Sequence, residues 1–248
     1  MTALLCSILC ASLVNIGLAF AGRRGWDSRP VLLAAYLASA LLAGALLASA
    51  RPALCWPGPA AAVRALAGDR SPEAGASFAV WFGLVSGALY LLCLRAADKG
   101  VRRSGAGLTT MYQRLGILAA ALLWGERPTA LQWVGLAVTV AALAALWGGE
   151  LRQALAGPLP VFVLGGAVEL TGKTFQMCAA AEYRPLFLFV FFSLCAAAQA
   201  AELARARVPL VPGPLVLGAP LGACSLLSSL FLKSALALAA VSLVLVNL

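Results

Sequence analysis

The sequence predicts an all-α polytopic membrane protein: two inverted five-helix repeats, the second incomplete, giving eight helices and part of a ninth. Composition, a series of apolar runs of spanning length, and a glycine motif used twice carry that prediction. Of 248 residues, 62% are hydrophobic and 11% charged. A soluble domain is about 45–50% apolar and about 25% charged. A chain this apolar keeps most of its surface in a solvent of its own kind, which is a bilayer. At roughly 20 residues per span plus short loops, the length holds about eight to ten helices and no sizeable soluble domain.

The elements follow from apolar runs bounded by charge, proline or glycine. The first covers 2–22. Arg23 and Arg24 follow it and no positive charge precedes it, so it reads as a span and not a signal peptide, despite Ala19-Phe20-Ala21. The second covers 31–50. The only long connection, Arg51 to Gly75, is rich in Pro, Gly and Ala, and Pro59 to Ala67 within it reads as a short interfacial helix. Further spans fall at 78–95, 105–124, 129–148, 159–181, 185–203 and 214–233. A last apolar run, Ala235 to Leu248, reaches only about 21 Å at 1.5 Å per residue, short of a core of about 30 Å. Its carboxylate would lie in the membrane, so the expectation is an incomplete chain.

The net charge of +9, from 18 Lys+Arg against 9 Asp+Glu, does not point to nucleic acid. The basic residues sit in short loops, as membrane topology requires, and form no stripe. With the N-terminus cytoplasmic, the cytoplasmic loops would hold Arg51, Arg64, Arg70, Arg127, Arg184 and Lys233. The opposite loops would hold Arg23, Arg24, Arg29, Arg95, Lys99, Arg102, Arg103, Arg152, Arg205 and Arg207. The larger set favours an external N-terminus. The seven cysteines (Cys6, Cys10, Cys55, Cys93, Cys178, Cys195, Cys224) include no CxxC pair, and six lie in apolar runs. They read as packing thiols, neither a disulfide framework nor a metal site.

Gly83-x-x-x-Gly87 in the third span recurs as Gly218-x-x-x-Gly222 in the eighth, 135 residues on. Leu-Cys-Leu-Arg at 92–95 is echoed by Leu-Phe-Leu-Lys at 230–233. GxxxG lets two helix backbones approach closely. In this register residues 1–150 hold one five-helix repeat and 151–248 the start of another. Five is odd, so joined copies face opposite ways, an architecture common in secondary transporters.

Gly125-Glu126-Arg127-Pro128-Thr129-Ala130-Leu131-Gln132-Trp133-Val134-Gly135 joins the fourth and fifth spans. It resembles the G-E-R-x-t-x-x-Q-x-x-G signature that closes the first half of EamA-like transporters of the drug/metabolite transporter superfamily. Gly105 to Leu123 is similar to that family's fourth helix. The resemblance implies ten helices in two inverted halves, a central substrate cavity, no cofactor and a cytoplasmic N-terminus. The chain departs from it by stopping in the ninth helix and by its loop charges. Read from the residues alone, the turn is a structural corner: Pro128 suits a helix start, Thr129 an N-cap, and Glu126 can pair with Arg127.

Charges at membrane depth are costly unless they face a cavity or a partner. Arg114 lies inside the fourth span, with Tyr112 and Gln113 adjacent and Thr110 four residues earlier. Glu169 and Lys173 lie inside the sixth, four apart and on one face; Gly166 and Gln176 extend the stripe. Such a stripe faces the bundle interior. Glu169 and Lys173 either neutralise each other and fix packing, or form a substrate or proton-coupling site in which Arg114 holds an anionic group and Glu169 titrates. Gln199 and Glu202, near the end of the seventh span, are weaker candidates that an interface could solvate. Ala167-x-x-x-x-Gly172-Lys173-Thr174 fits a permissive Walker A pattern, but inside a spanning helix its N–H groups are already bonded, so it is rejected.

The function expected is a secondary transporter, an exporter of small metabolites or drugs across the inner membrane of a bacterium, without cofactor. Its partners are membrane lipid and the small-molecule substrate. An intramembrane enzyme lacks a nucleophile–base pair or metal ligands. The alternative is a truncated or accessory subunit, completed by a second copy or a complementing subunit.

Overall fold

In lipid every backbone N–H and C=O must find its partner within the chain, and apolar runs without glycine turns or prolines do so as helices. The structure, a computed structural model, describes residues 2–53, 58–104, 133, 134, 137, 138 and 159–246. They form α1 (Thr2–Arg23), α2 (Ser28–Ala50), α3 (Pro59–Leu66), α4 (Pro72–Ser104), α5 (Leu159–Cys178), α6 (Arg184–Ala206) and α7 (Pro212–Val246). A 3-10 turn, Ala181–Tyr183, precedes α6. Among the described residues there is no strand, and four helical stretches are long and apolar enough to cross a membrane: 28–50, 72–97, 181–206 and 212–230.

The helix at Pro59–Leu66 stands where the sequence places an interfacial one. Its Ala61, Ala62 and Ala65 are buried and its Val63, Arg64 and Leu66 exposed. The predicted spans at 105–124 and 129–148, with the Gly125–Gly135 turn, lie outside the described residues. The exceptions are Trp133, Val134, Ala137 and Val138, which are helical and exposed. One boundary differs. The expected break between the eighth span and a ninth is absent, because α7 runs unbroken for 35 residues through Lys233 and Ser234. No proline or glycine follows Gly222, and lysine is a good helix former, so a charge alone does not end the helix.

The chain packs as two units, Met1–Gly87 with Phe175–Leu248, and Ala88–Thr174. In the first, a column of phenylalanines ties α4, the end of α5 and α6 together. Phe78 stacks on Phe82 at 4.0 Å and on Phe175 at 6.1 Å, and Phe175 stacks on Phe187 at 4.5 Å. The α1–α2 corner turns on Gly25, whose φ of 68° suits glycine. Beside it, Arg24 lies over the rings of Phe20 and Trp26, and Gly213 at the start of α7 leaves room for the Trp26 indole.

Both glycine pairs sit at helix crossings. On α7, a β-carbon at Gly218 would strike the Val31 carbonyl and come within 2.6 Å of the Ala34 β-carbon. One at Gly222 would strike the Ala35 carbonyl and lie 2.9 Å from the Ala38 β-carbon. On α4, a β-carbon at Gly83 would meet the Phe187 carbonyl at 3.1 Å and the Val190 β-carbon at 3.1 Å. At Gly87 it would meet the Phe191 carbonyl at 3.4 Å and the Leu194 β-carbon at 3.5 Å.

These are the same four contacts twice. Each glycine of α7 lies 135 residues after its counterpart in α4. Phe187, Val190, Phe191 and Leu194 each lie 156 residues after Val31, Ala34, Ala35 and Ala38. That second spacing maps all of α2 onto α6: both have 23 residues, and they end on Arg51 and Arg207, each in the left-handed region with φ of 42° and 51°. The two spacings differ by 21 residues, the length of the connection 51–71 that carries α3 and that 207–211 lacks.

The numbering rises together along both crossings, so α2 runs parallel to α7 and α4 parallel to α6. The residues 207–211 span at most about 18 Å, too little to return along a 23-residue helix of about 35 Å. Helix α7 therefore runs against α6, α2 runs against α6, and α4 runs against α7.

Candidate functional site

Helix α5 places Gly166, Glu169, Lys173 and Gln176 along one face, as the i, i+3, i+7, i+10 spacing requires. All eight residues from Ala167 to Thr174 are half-buried, right around the helix. A helix packed on one side would alternate between buried and exposed; this one keeps partial access throughout. Gly172 adds to that openness, since a β-carbon there meets no atom within 4 Å. Glu169 stands within electrostatic reach of the Cys93 thiol of α4, in the same unit.

The threonines of the segment serve their own helix. Thr171 donates to the Val168 carbonyl at 2.7 Å and Thr174 to the Leu170 carbonyl at 2.8 Å. Gly172-Lys173-Thr174 is therefore mid-helix, with its amides committed to the i−4 carbonyls, and cannot cradle a phosphate.

Of the residues singled out from sequence, Glu169, Lys173 and Gln176 are described and share the α5 face. Tyr112, Gln113 and Arg114 lie outside the described residues. Gln199 is a correction: it is buried, at 6% exposure, seven residues before the end of α6, so no interface solvates it. Glu202, one turn on, is half-buried. Cys93 and Cys195 are buried at 1% and 0% exposure and behave as core residues.

Ser39 was not singled out from the sequence. It is fully buried in α2, 2.9 Å from the Ala35 carbonyl of its own helix and 2.8 Å from the Gly222 carbonyl of α7. Its one proton is available to both. A serine in an apolar run gives no warning of a bond across helices. The spacing of 156 would have found it, by laying α2 on α6.

Apolar helices of spanning length packed backbone to backbone define the class: a helical membrane protein. No protein-family model, no curated protein and no solved structure matches the chain.

Proposed function

We propose that the chain is a secondary transporter of small molecules, built from two inverted halves that begin at residues 1 and 151 and move against each other. One observation carries the proposal: the α2·α7 and α4·α6 crossings repeat contact for contact, with the paired helices reversed in direction. Two copies of one unit related in this way give a protein two conformations of similar energy, each opening to one side of the membrane. The charged stripe of α5, half-buried and bordered by open space at Gly172, supports a polar site along the path.

In this reading Glu169 and Lys173 contact the substrate or a coupling proton, Gln176 extends their face, and Arg114, with Tyr112 and Gln113, holds an anionic group. The substrates are small metabolites or drugs, and export across a bacterial inner membrane fits the resemblance of Gly125–Gly135 to EamA-like transporters. No ATP-binding loop is offered by Gly172-Lys173-Thr174, so an ion gradient or exchange would drive the cycle.

Purified chain in proteoliposomes, screened for flux of labelled metabolites and cationic dyes with and without a proton gradient, tests the proposal. Flux that Glu169→Gln and Arg114→Ala abolish supports it. A folded chain that moves none of the panel, and moves some only when a second protein is added, would establish an accessory subunit.

A further inference from the structure

The two crossings repeat each other in pattern but not in tightness. The Gly218 position lies 2.6 Å from Ala34 where Gly83 lies 3.1 Å from Val190, and Gly222 lies 2.9 Å from Ala38 where Gly87 lies 3.5 Å from the Leu194 β-carbon. The carbonyls of Val31 and Ala35 come nearer still to α7, whereas those of Phe187 and Phe191 stay at 3.1 and 3.4 Å from α4. Only the tighter crossing has a hydroxyl on it, Ser39, bonded to Gly222 across the helices.

The residue 156 positions after Ser39 is Cys195, also at 0% exposure. The second half thus puts a thiol where the first puts a hydroxyl. A thiol is a weak donor with a larger atom; it fills the place and holds it less tightly. Pro220, inside α7 between the two glycines, takes away the amide that would bond the Val216 carbonyl. Its counterpart in α4 is Val85, which keeps its amide.

We propose that the crossings are an unequal pair: α2·α7 is the fixed one, α4·α6 is the one that opens as the protein changes conformation, and the Ser39/Cys195 difference sets the inequality. This rests on the two-conformation reading above. Two halves alike in backbone would otherwise give each crossing the same freedom. The hydroxyl adds a bond to one, and a single membrane-buried hydrogen bond shifts an equilibrium by about threefold.

Distance measurements between nitroxides on encoded side chains, with all natural cysteines kept, test this in full-length protein in nanodiscs. One label pair replaces Leu37 and Val216, across α2·α7. The other replaces Trp81 and Ser193, the positions that correspond to them across α4·α6. The expected result is a single narrow distance for the first pair and a broad or two-peaked distribution for the second. Cys195→Ser should narrow the second distribution, and Ser39→Ala should broaden the first. Equal widths in the unaltered protein, a broader first pair, or a second distribution indifferent to Cys195→Ser would overturn the proposal. Flux measured on the same samples separates the two claims: unequal crossings without flux would sink the transport reading alone, and flux with equal crossings would sink this one alone.

Discussion

The hydroxyl of Ser39 on α2 donates to the backbone carbonyl of Gly222 on α7 across 2.8 Å, in a contact with no water access. The glycine makes the bond possible, because any side chain at 222 would push the two backbones apart. In lipid, where apolar burial does not drive helices together, close packing and such bonds supply the attraction. Ser39→Ala removes the bond and leaves the packing. It should cost about 0.6 kcal/mol, with about 1.7 kcal/mol as the upper bound, read as a lower midpoint in denaturing-detergent titration.

The glycines should rank by clearance. Gly218→Ala and Gly222→Ala place a methyl group against backbone carbonyls that cannot swing aside, so each should cost about 1–3 kcal/mol as an overpacked core does. Gly83→Ala and Gly87→Ala have more room and should cost less. At Gly22, near the end of α1, a β-carbon meets nothing within 4 Å; Gly22→Ala should stabilise by up to about 1 kcal/mol through helix propensity. Thermal aggregation midpoints of the five variants in one detergent check the order. A Gly222→Ala protein as stable as the parent would mean the α2·α7 approach is looser than described.

Much of this fold is legible in the sequence, for a physical reason. Apolar runs of spanning length must be helices, so α2, α4, α6 and the Pro59–Leu66 helix can be read to within a few residues at most ends. The glycine pairs announce close crossings. Their partners are not announced, since Val31, Ala35, Phe187 and Phe191 take part through carbonyl oxygens that every residue carries. The relation of α2 to α6 is hidden as well: a connection longer by 21 residues shifts the register from 156 to 135 between neighbouring helices, and a search at one spacing finds only half of it. Lys233 misled because charge marks the ends of most spans but does not break a helix. On α5 the polar stripe is legible from spacing alone; the open space beside Gly172 is not, because it depends on what the neighbours leave unfilled.

Glu169 and Lys173 can be separated into structural and functional roles by reversing them together. If they only balance each other, Glu169→Lys combined with Lys173→Glu keeps the pair, and should restore both stability and any flux lost in the single variants. If they contact substrate, the double variant should regain stability but not flux, because the charges have exchanged places along α5 by one turn. Detergent midpoints and proteoliposome flux on the three proteins decide between the two. Recovery of flux in the double variant would remove Glu169 and Lys173 from the site.

Outside the membrane, the connection into α4 should be sensitive to acid. The Asp69 carboxylate accepts from the Ser71 amide at 2.9 Å, and Ser71 in turn accepts from the Ala74 amide at 3.3 Å, capping the helix. The bonds from Ser71, amide and then hydroxyl, hold the Asp69 carboxyl below its ordinary value, with Arg64 at 4.0 Å adding to the effect. A carboxyl lowered in the folded state stabilises it above the unfolded value, near 3.9, and loses that contribution as pH falls through the lower folded value. The connection should thus be intact from neutral pH down to about 4 and loosen below it. Hydrogen exchange of the 70–75 amides, corrected for the intrinsic rate at each pH, reads this directly. Protection should fall in the unaltered chain as the carboxyl protonates, and stay level in Asp69→Asn, whose amide oxygen accepts from Ser71 at every pH. Equal acid sensitivity in both proteins would place the loosening elsewhere, with Glu73, 3.5 Å from Arg64, the next carboxylate to replace.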